Sequence, residues 1–320
     1  MAKQYTITID FRNITGHFQI VDCLQEAFQA TCEDSVHFNI NINSYSLLYA
    51  DHLLLISNTV NYLREKGVNV TGKFIDFVDG SDKANYASRI NFFQQIGFNY
   101  QENFNRQNAS GRFTEIKRFD DANSMEIFKE VMSILVDKGA INEDMLIVLQ
   151  YCLWEVIDNS IRHSLSDGTL SNGNGYICCQ YFPYKNQIRL IIADNGQGIH
   201  KALTEHPDSE YKHFNEEEAV LRCVDRGVTN STGMGFGLWA TATLVKENGG
   251  KLIIHSGNHA LEIDATKRVQ KLSNWQGTYT YLRVNTDVSV SYDKIFEDDG
   301  QRNSYEEFKE NLLGNIDDLW

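Results

Sequence analysis

Proline is nearly missing: only Pro183 and Pro207 occur among 320 residues, so no Pro-rich linker divides the chain. No two of the six cysteines (Cys23, Cys32, Cys152, Cys178, Cys179 and Cys223) are spaced C-x-x-C, which argues against a zinc cluster. Free thiols, buried or half-buried in a reducing cytosol, are expected instead. Positive charge is also short: 29 Lys and Arg face 43 Asp and Glu, a formal net charge of −14. That deficit argues against a nucleic-acid backbone as partner, which needs a concentrated positive surface. It leaves room for a small anion such as a nucleotide, because backbone dipoles can build such a site locally. No apolar run reaches the roughly 18 residues of a membrane span. The first residues, MAKQYTITIDF, lack the apolar core of a signal peptide. Neither nucleic acid nor membrane is therefore expected as a partner, and the expected location is cytoplasmic.

What is present reads as a globular chain long enough for two domains or one large one. QYTITID (4–10) and VHFNINI (36–42) alternate as strands do. Between Leu47 and Gly67, the apolar residues Leu53, Leu54, Ile56, Val60 and Leu63 keep helical spacing, and Gly67 is a natural stop. VNVTGKFIDF reads as a further strand, so residues 1–105 are expected to form a small α/β domain. Residues 101–121, polar and rich in Asn, Arg and Gly, read as a connector. Two helices follow: MEIFKEVMSILVDKG and, with Asn142 as its cap, EDMLIVLQYCLWEVIDNSIRHSL. After a Gly/Ser/Asn loop come the strands YICCQYF and QIRLIIAD; Cys178 and Cys179 in the first must point to opposite faces. A long polar segment, 200–232, leads to GMGFGLWATATLVKENGG, glycines running into a helix, and then to the strands KLIIHS, ALEID and GTYTYLRV. Residues 287–320 hold ten acids and three bases, half of the chain's negative excess. They read as a solvated acidic tail, although YEEFKENLLGNIDDLW could form a short amphipathic helix docked on its own domain or on a partner.

Four stretches carry chemistry. In EVIDNSIRHS, the residues Glu155, Asn159 and His163 recur every four positions, so they share one helix face beside a core face of Leu146, Leu149, Leu153, Val156 and Ile157. This is the edge of a buried surface, where a pocket would lie; a half-exposed helix with ordinary polar residues is the plainer reading. In RLIIADNGQGI, a strand runs into Asp194 and stops at Gly196 and Gly198, which let a ligand approach the backbone. That carboxylate can accept from an exocyclic amine, or the stretch is a simple turn. In STGMGFGLWATATLV, Gly233, Gly235 and Gly237 precede a helix start with free N–H groups and a helix dipole, a ready anion site. No Gly-Lys-Ser/Thr follows, so it is not a Walker A loop. No apolar strand precedes it, so the G-x-G-x-x-A match at Gly235, Gly237 and Ala240 does not make it a dinucleotide fingerprint. In WQGTYTYLRV, Gly277 and Thr278 open a last strand, and Thr278 can offer a hydroxyl to a base pocket or serve only the strand.

In this order the stretches resemble the GHKL superfamily, which joins gyrase-type topoisomerases, the heat-shock chaperone, sensor histidine kinases and mismatch-repair ATPases. The resemblance covers Asn123 to Asn285 and rests on E155-VID-N159-SIR-H163, D194-N-G196-Q-G198, G233-M-G235-F-G237-L238 and Gly277-Thr278. It implies a Bergerat-fold ATP-binding domain over 106–285: a two-layer α/β sandwich with a mixed sheet. It further implies that Asn159 offers its amide oxygen to Mg²⁺ and that Glu155 is the general base. Asp194 and Thr278 would bind adenine, joined by Gly196 and Gly198. Gly233, Gly235, Gly237 and Leu238 would hold the phosphates, and 200–232 would be a lid. His163 would touch a phosphate or sit in the core. No histidine lies in the two helical stretches before Glu155, so a two-component sensor is not expected. Only the acidic tail, 286–320, follows the domain, which weakens a transducer-bearing ATPase. The N-terminal part resembles a STAS-type domain, as in anti-sigma-factor antagonists. Ser44 and Ser46 lie near the loop that carries the regulated serine there, but the usual Asp-Ser-Ser-Gly is absent and Asp51 occupies the neighbourhood.

The expected function is therefore Mg²⁺-dependent ATP hydrolysis, or transfer of the γ-phosphate to a protein hydroxyl, in a regulatory partner-switching role. The nearest analogue is the anti-sigma-factor serine kinase. The alternative is a nucleotide-gated protein-binding switch with little or no turnover. ATP and a protein are the expected partners, and a homodimer stays open.

Overall fold

Strands β1 (Gln4–Asp10), β2 (Ser35–Asn41) and β3 (Asn69–Phe74) pair in parallel in that order, with Gln4 beside Ser35 and Ser35 beside Asn69. A computed structural model describes residues 2–45, 47–109, 112–138, 141–164, 174–230 and 235–312. Parallel neighbours need crossovers, and helices α1 (His17–Leu24) and α2 (Ala50–Glu65) supply them. Crossovers of one hand along a sheet wound in one direction place both helices on the same face, and α1 and α2 do touch each other. Two short helices, α3 (Asp82–Arg89) and α4 (Phe92–Ile96), close this part of the chain. Ser81 caps α3, its hydroxyl oxygen accepting from the Ala84 N–H at 3.2 Å.

The second sheet is built from β4 (Phe113–Asp120), β5 (Asn174–Phe182), β6 (Gln187–Asp194), β7 (Lys251–Ile263) and β8 (Lys267–Asn285). Its order is β4-β5-β6-β8-β7. Helices α5 (Ser124–Lys138) and α6 (Glu143–Ser164) precede β5; α7 (Gly198–Thr204), α8 (Glu216–Arg222) and α9 (Gly237–Asn248) lie between β6 and β7. The α/β organisation and the sandwich are as expected, but every pairing in this sheet is antiparallel rather than mixed. The reason is topological: β8 inserts between β6 and β7, so the helical crossover from β6 to β7 creates no parallel neighbours. The expected connector contains β4. Its outward charges, Glu115, Lys117 and Arg118, pair with Arg89, Glu130 and Glu65, so an edge strand reads as polar linker.

Each face of the five-stranded sheet has its own core. Cys179, Ile177 and Ile192 pack with α5, α6 and α9 through Val131, Leu149, Ile157 and Leu244. Cys178, Ile191, Trp275 and Tyr279 belong instead to the cluster that holds Ile9, Val36 and Leu54. The adjacent cysteines thus point to opposite faces, and the face away from α6 is covered by α1 and α2. Sandwiched between two sheets, α2 has 13 of its 16 residues buried, the signature of a helix covered all round. Its Asn58 donates from Nδ2 to the Ala193 carbonyl at 3.2 Å, next to Asp194. The expected units 1–105 and 106–285 therefore share a hydrophobic cluster. No helix among the described residues is long and apolar enough to cross a membrane.

The acidic segment forms α10 (Asp299–Leu312) rather than an extended solvated tail. Tyr305 and Phe308 are each only 6 % exposed, and Phe308 meets the Tyr151 ring edge-on at 5.7 Å between centroids. The Tyr151 hydroxyl shares a 2.9 Å hydrogen bond with Ser304. Aromatic burial on α6 outweighs the repulsion of scattered surface acids. Phe308→Ala is expected to lower unfolding free energy by about 3 kcal/mol in urea titration. Exposed Glu310→Ala should change it by less than about 0.5 kcal/mol. Equal effects would show that α10 is not packed on α6.

Candidate functional site

The site forms where α6, the end of β6 and the start of α9 meet. Helix α6 begins as expected, Asn142 Oδ1 accepting from the Met145 N–H at 3.0 Å. Its buried side carries Leu149, Leu153 and Ile157, and the adjoining half-buried strip turns Glu155, Asn159 and His163 into a cavity of about 520 Å³. Asp194, Gly198, Gly235, Gly237, Leu238 and Thr278 line the same cavity. Gly196 does not line it, its Cα lying instead against the backbone of His163 and Ser164, and Gly233 lies outside the described residues.

Strand β6 delivers Asp194 at 4 % exposure, where a carboxylate has little water. Its Oδ1 accepts from the backbone N–H groups of Gly196 at 2.9 Å and Thr278 at 3.2 Å. Burial nevertheless dominates and lifts its pKa from 3.8 to about 7. Gly277 (φ +85°) makes the approach possible, since a methyl group there would overlap the Asp194 carbonyl and would also be strained. Ser256 fixes this corner: its hydroxyl donates to the Gly277 carbonyl at 2.9 Å and accepts from the Ile199 N–H at 2.8 Å.

At the opposite end, Gly237 begins α9 with its Cα against the Glu155 carboxylate; a side chain at Gly237 would overlap it. Gly237 and Leu238, which open α9, line the same cavity as Glu155. Burial, and secondarily the charge of Asp158, raise the Glu155 pKa from 4.5 to about 7; Arg162 and the Tyr151 hydroxyl pull the other way. A carboxyl at that value can take or give a proton near neutral pH. His163, half-buried, has its pKa lowered first by burial and then by Arg162. Its Nδ1 lies 3.2 Å from Gln197 Nε2, and its carbonyl accepts from the Gln197 N–H, also at 3.2 Å. It is thus held by protein while lining the cavity.

Part of the expected lid is helical. The capping box of Asn215 and Glu218 starts α8, a signal readable in NEEE. Val228, Thr229 and Asn230 reach the cavity wall. Tyr151, Asp158, Arg162 and Glu307 are among the cavity residues that went unforeseen. Tyr151 precedes Glu155 by one helical turn, a spacing that could have revealed it. Asp158 and Arg162 form an i,i+4 ion pair at 2.7 Å, usually the mark of a solvated face. Glu307 arrives from α10, whose amphipathic pattern was readable but whose place at the cavity was not.

Comparison with curated proteins gave no match. Residues 146–286 match the family model described as "Histidine kinase-, DNA gyrase B-, and HSP90-like ATPase". That span runs from within α6 to the end of β8 and so holds four of the five antiparallel strands and all the cavity-lining residues but Glu307, consistent with the Bergerat fold. The match supports a GHKL-type domain that binds ATP over these residues.

Proposed function

We propose that the cavity binds ATP with Mg²⁺ and that the chain hydrolyses it or transfers its γ-phosphate to a protein hydroxyl. One observation carries this reading. One cavity is lined by a carboxyl poised near neutrality, an amide one turn away, a buried carboxylate and a glycine-led helix start. The cavity volume of about 520 Å³ suits a nucleotide-sized ligand. Asp194 accepts from the adenine amino group, with the Thr278 hydroxyl beside it. Gly235, Gly237 and Leu238 present backbone N–H groups to the phosphates. The Asn159 amide oxygen is a hard ligand of the kind Mg²⁺ accepts besides phosphate oxygens and water. Bound there, Mg²⁺ neutralises phosphate charge. Glu155 orients a water or hydroxyl and takes its proton.

The regulatory part of the proposal rests on the N-terminal unit. Its strand–helix–strand order and parallel sheet suit a STAS-like scaffold, and it lies against the back of the ATP-binding sheet. Ser46 lies outside the described residues. A partner-switching role, with a protein as the second partner, follows from that fusion of modules. The segment Asp298–Glu307 also reaches the site: Glu307 lines the cavity and Asp298 pairs with Arg226. That placement favours a second reading, in which bound nucleotide is sensed by the C-terminal helix with little turnover.

Binding and turnover of labelled ATP, measured with Mg²⁺ and with EDTA, separate these readings. Asn159→Ala is expected to weaken Mg²⁺-dependent binding about tenfold, roughly one metal-ligand bond, and to leave binding in EDTA unchanged. Equal binding in both conditions would remove Asn159 from the metal. Release of phosphate indicates hydrolysis, and label on a protein indicates a kinase. Tight binding with neither leaves the switch.

A further inference from the structure

His17, Asp51 and His52 gather outside the nucleotide cavity and do not line it. His17 opens α1, while Asp51 and His52 sit in the first turn of α2. Each offers one ligand atom within 4.8 Å of the other two, and all three residues are buried. The arrangement is poorly explained as hydrogen bonding alone. His17 Nε2 is 3.3 Å from Asp51 Oδ2, yet it makes no hydrogen bond among the described residues and is shielded from solvent. A buried ring nitrogen left so costs free energy. Bonds of about 2.0–2.1 Å to a tetrahedral ion put neighbouring ligand atoms about 3.3 Å apart, which is this separation. The other carboxylate oxygen is already held: Asp51 Oδ1 accepts from the His52 N–H at 2.9 Å. That bond fixes the orientation of the remaining oxygen, as outer partners of metal ligands do.

We propose that His17, Asp51 and His52 bind one divalent ion of the Zn²⁺ class, with water as a fourth ligand. Two imidazoles and one carboxylate suit zinc or cobalt and not Mg²⁺ or Ca²⁺. The absence of C-x-x-C pairs does not bear on such a set. A cavity of about 10 Å³, room for one water, touches Asp51 but neither histidine. Arg189, stacked between Tyr49 and Phe182 at 4.7 and 4.8 Å, lines the same cavity. The ion ties α1 to α2 at the seam with β8, where the His17 ring packs on Tyr281 at 4.5 Å between centroids. Its role is structural: it ties α1 to α2 where both pack on the sheet that carries Asp194.

The full chain, stripped with EDTA and free of any affinity tag, is titrated with Co²⁺. One equivalent should bind with the visible absorption of a tetrahedral site, be displaced by Zn²⁺, and raise the thermal midpoint. His17→Ala and His52→Ala should each weaken Zn²⁺ binding at least about 100-fold, as losing one of three protein ligands implies. Should either variant unfold, Asp51→Asn, which keeps the shape, must still lose the cobalt spectrum. Wild-type protein that binds no stoichiometric metal overturns the proposal. So does metal binding that survives in all three variants. Neither result touches the ATP reading, which is tested at other residues.

Discussion

Glu155→Gln is expected to leave ATP affinity within about twofold of wild type and to lower turnover by about 10²–10⁴, the worth of a positioned base. Gln keeps the shape of the side chain against Gly237 and its reach to Tyr151, so the cavity wall is preserved. It loses the proton acceptor. The wild-type pH profile follows from the same group. Burial beside Asp158 holds the Glu155 carboxyl at about 7, and only its ionised form accepts a proton. Turnover should climb about tenfold per pH unit below 7 and level off above it. In the Gln variant the residual rate should lack that limb. A flat wild-type profile between pH 5 and 8, or full activity in Glu155→Gln, would remove Glu155 from the chemistry and leave the nucleotide-gated switch.

How much of this was legible depended on whether a contact repeats along the chain or spans it. Glu155, Asn159 and His163 were readable because four-residue spacing fixes one helix face whatever surrounds it. Cys178 and Cys179 were readable for the same reason in a strand. The burial of α2 on all sides was not. Its Ser57 and Thr59 read as polar positions, but their hydroxyls donate to the Leu53 and Leu55 carbonyls at 3.0 and 2.9 Å and so go inside satisfied. The covering of the sheet's second face was hidden with it. Strand β4 was missed because its charges pair with residues up to about fifty positions away, and periodicity carries no trace of such partners. Glu307 and α10 show the same limit: aromatic residues spaced along an acidic segment reveal their burial only when Tyr151 and Phe296 are brought to meet them. Gly277 and Gly237 were legible as glycines. Why glycine is needed became plain only from the overlaps with the Asp194 carbonyl and the Glu155 carboxylate.

Asp194→Asn is expected to move stability and binding in opposite directions, which makes it the sharper test of the adenine end. The folded-state pKa of Asp194 is raised to about 7 from 3.8 because burial disfavours its charge. Below pH 3.8 both folded and unfolded chains keep the proton, and the full stability is present. Between pH 3.8 and 7 the unfolded chain ionises first, so stability is lost as pH rises; above 7 the loss is complete. At about 1.4 kcal/mol per pKa unit the cost is on the order of 4 kcal/mol. Asn carries no charge to desolvate, and its carbonyl can still accept from the Gly196 and Thr278 N–H groups. Ligand-free Asp194→Asn should therefore match wild type near pH 4 and exceed it by about 2–4 kcal/mol at pH 8, read by urea unfolding. Its ATP affinity should fall about 100-fold, because an amide N–H₂ turned toward the adenine amine sets donor against donor. A variant that is less stable at pH 8 would show that the carboxylate is already compensated in the fold. One that binds ATP as wild type does would move adenine away from the end of β6. The carboxylate is thus a strain that ligand-free protein carries at neutral pH and that a bound amine relieves, so nucleotide should raise the thermal midpoint of wild type more at pH 8 than at pH 5.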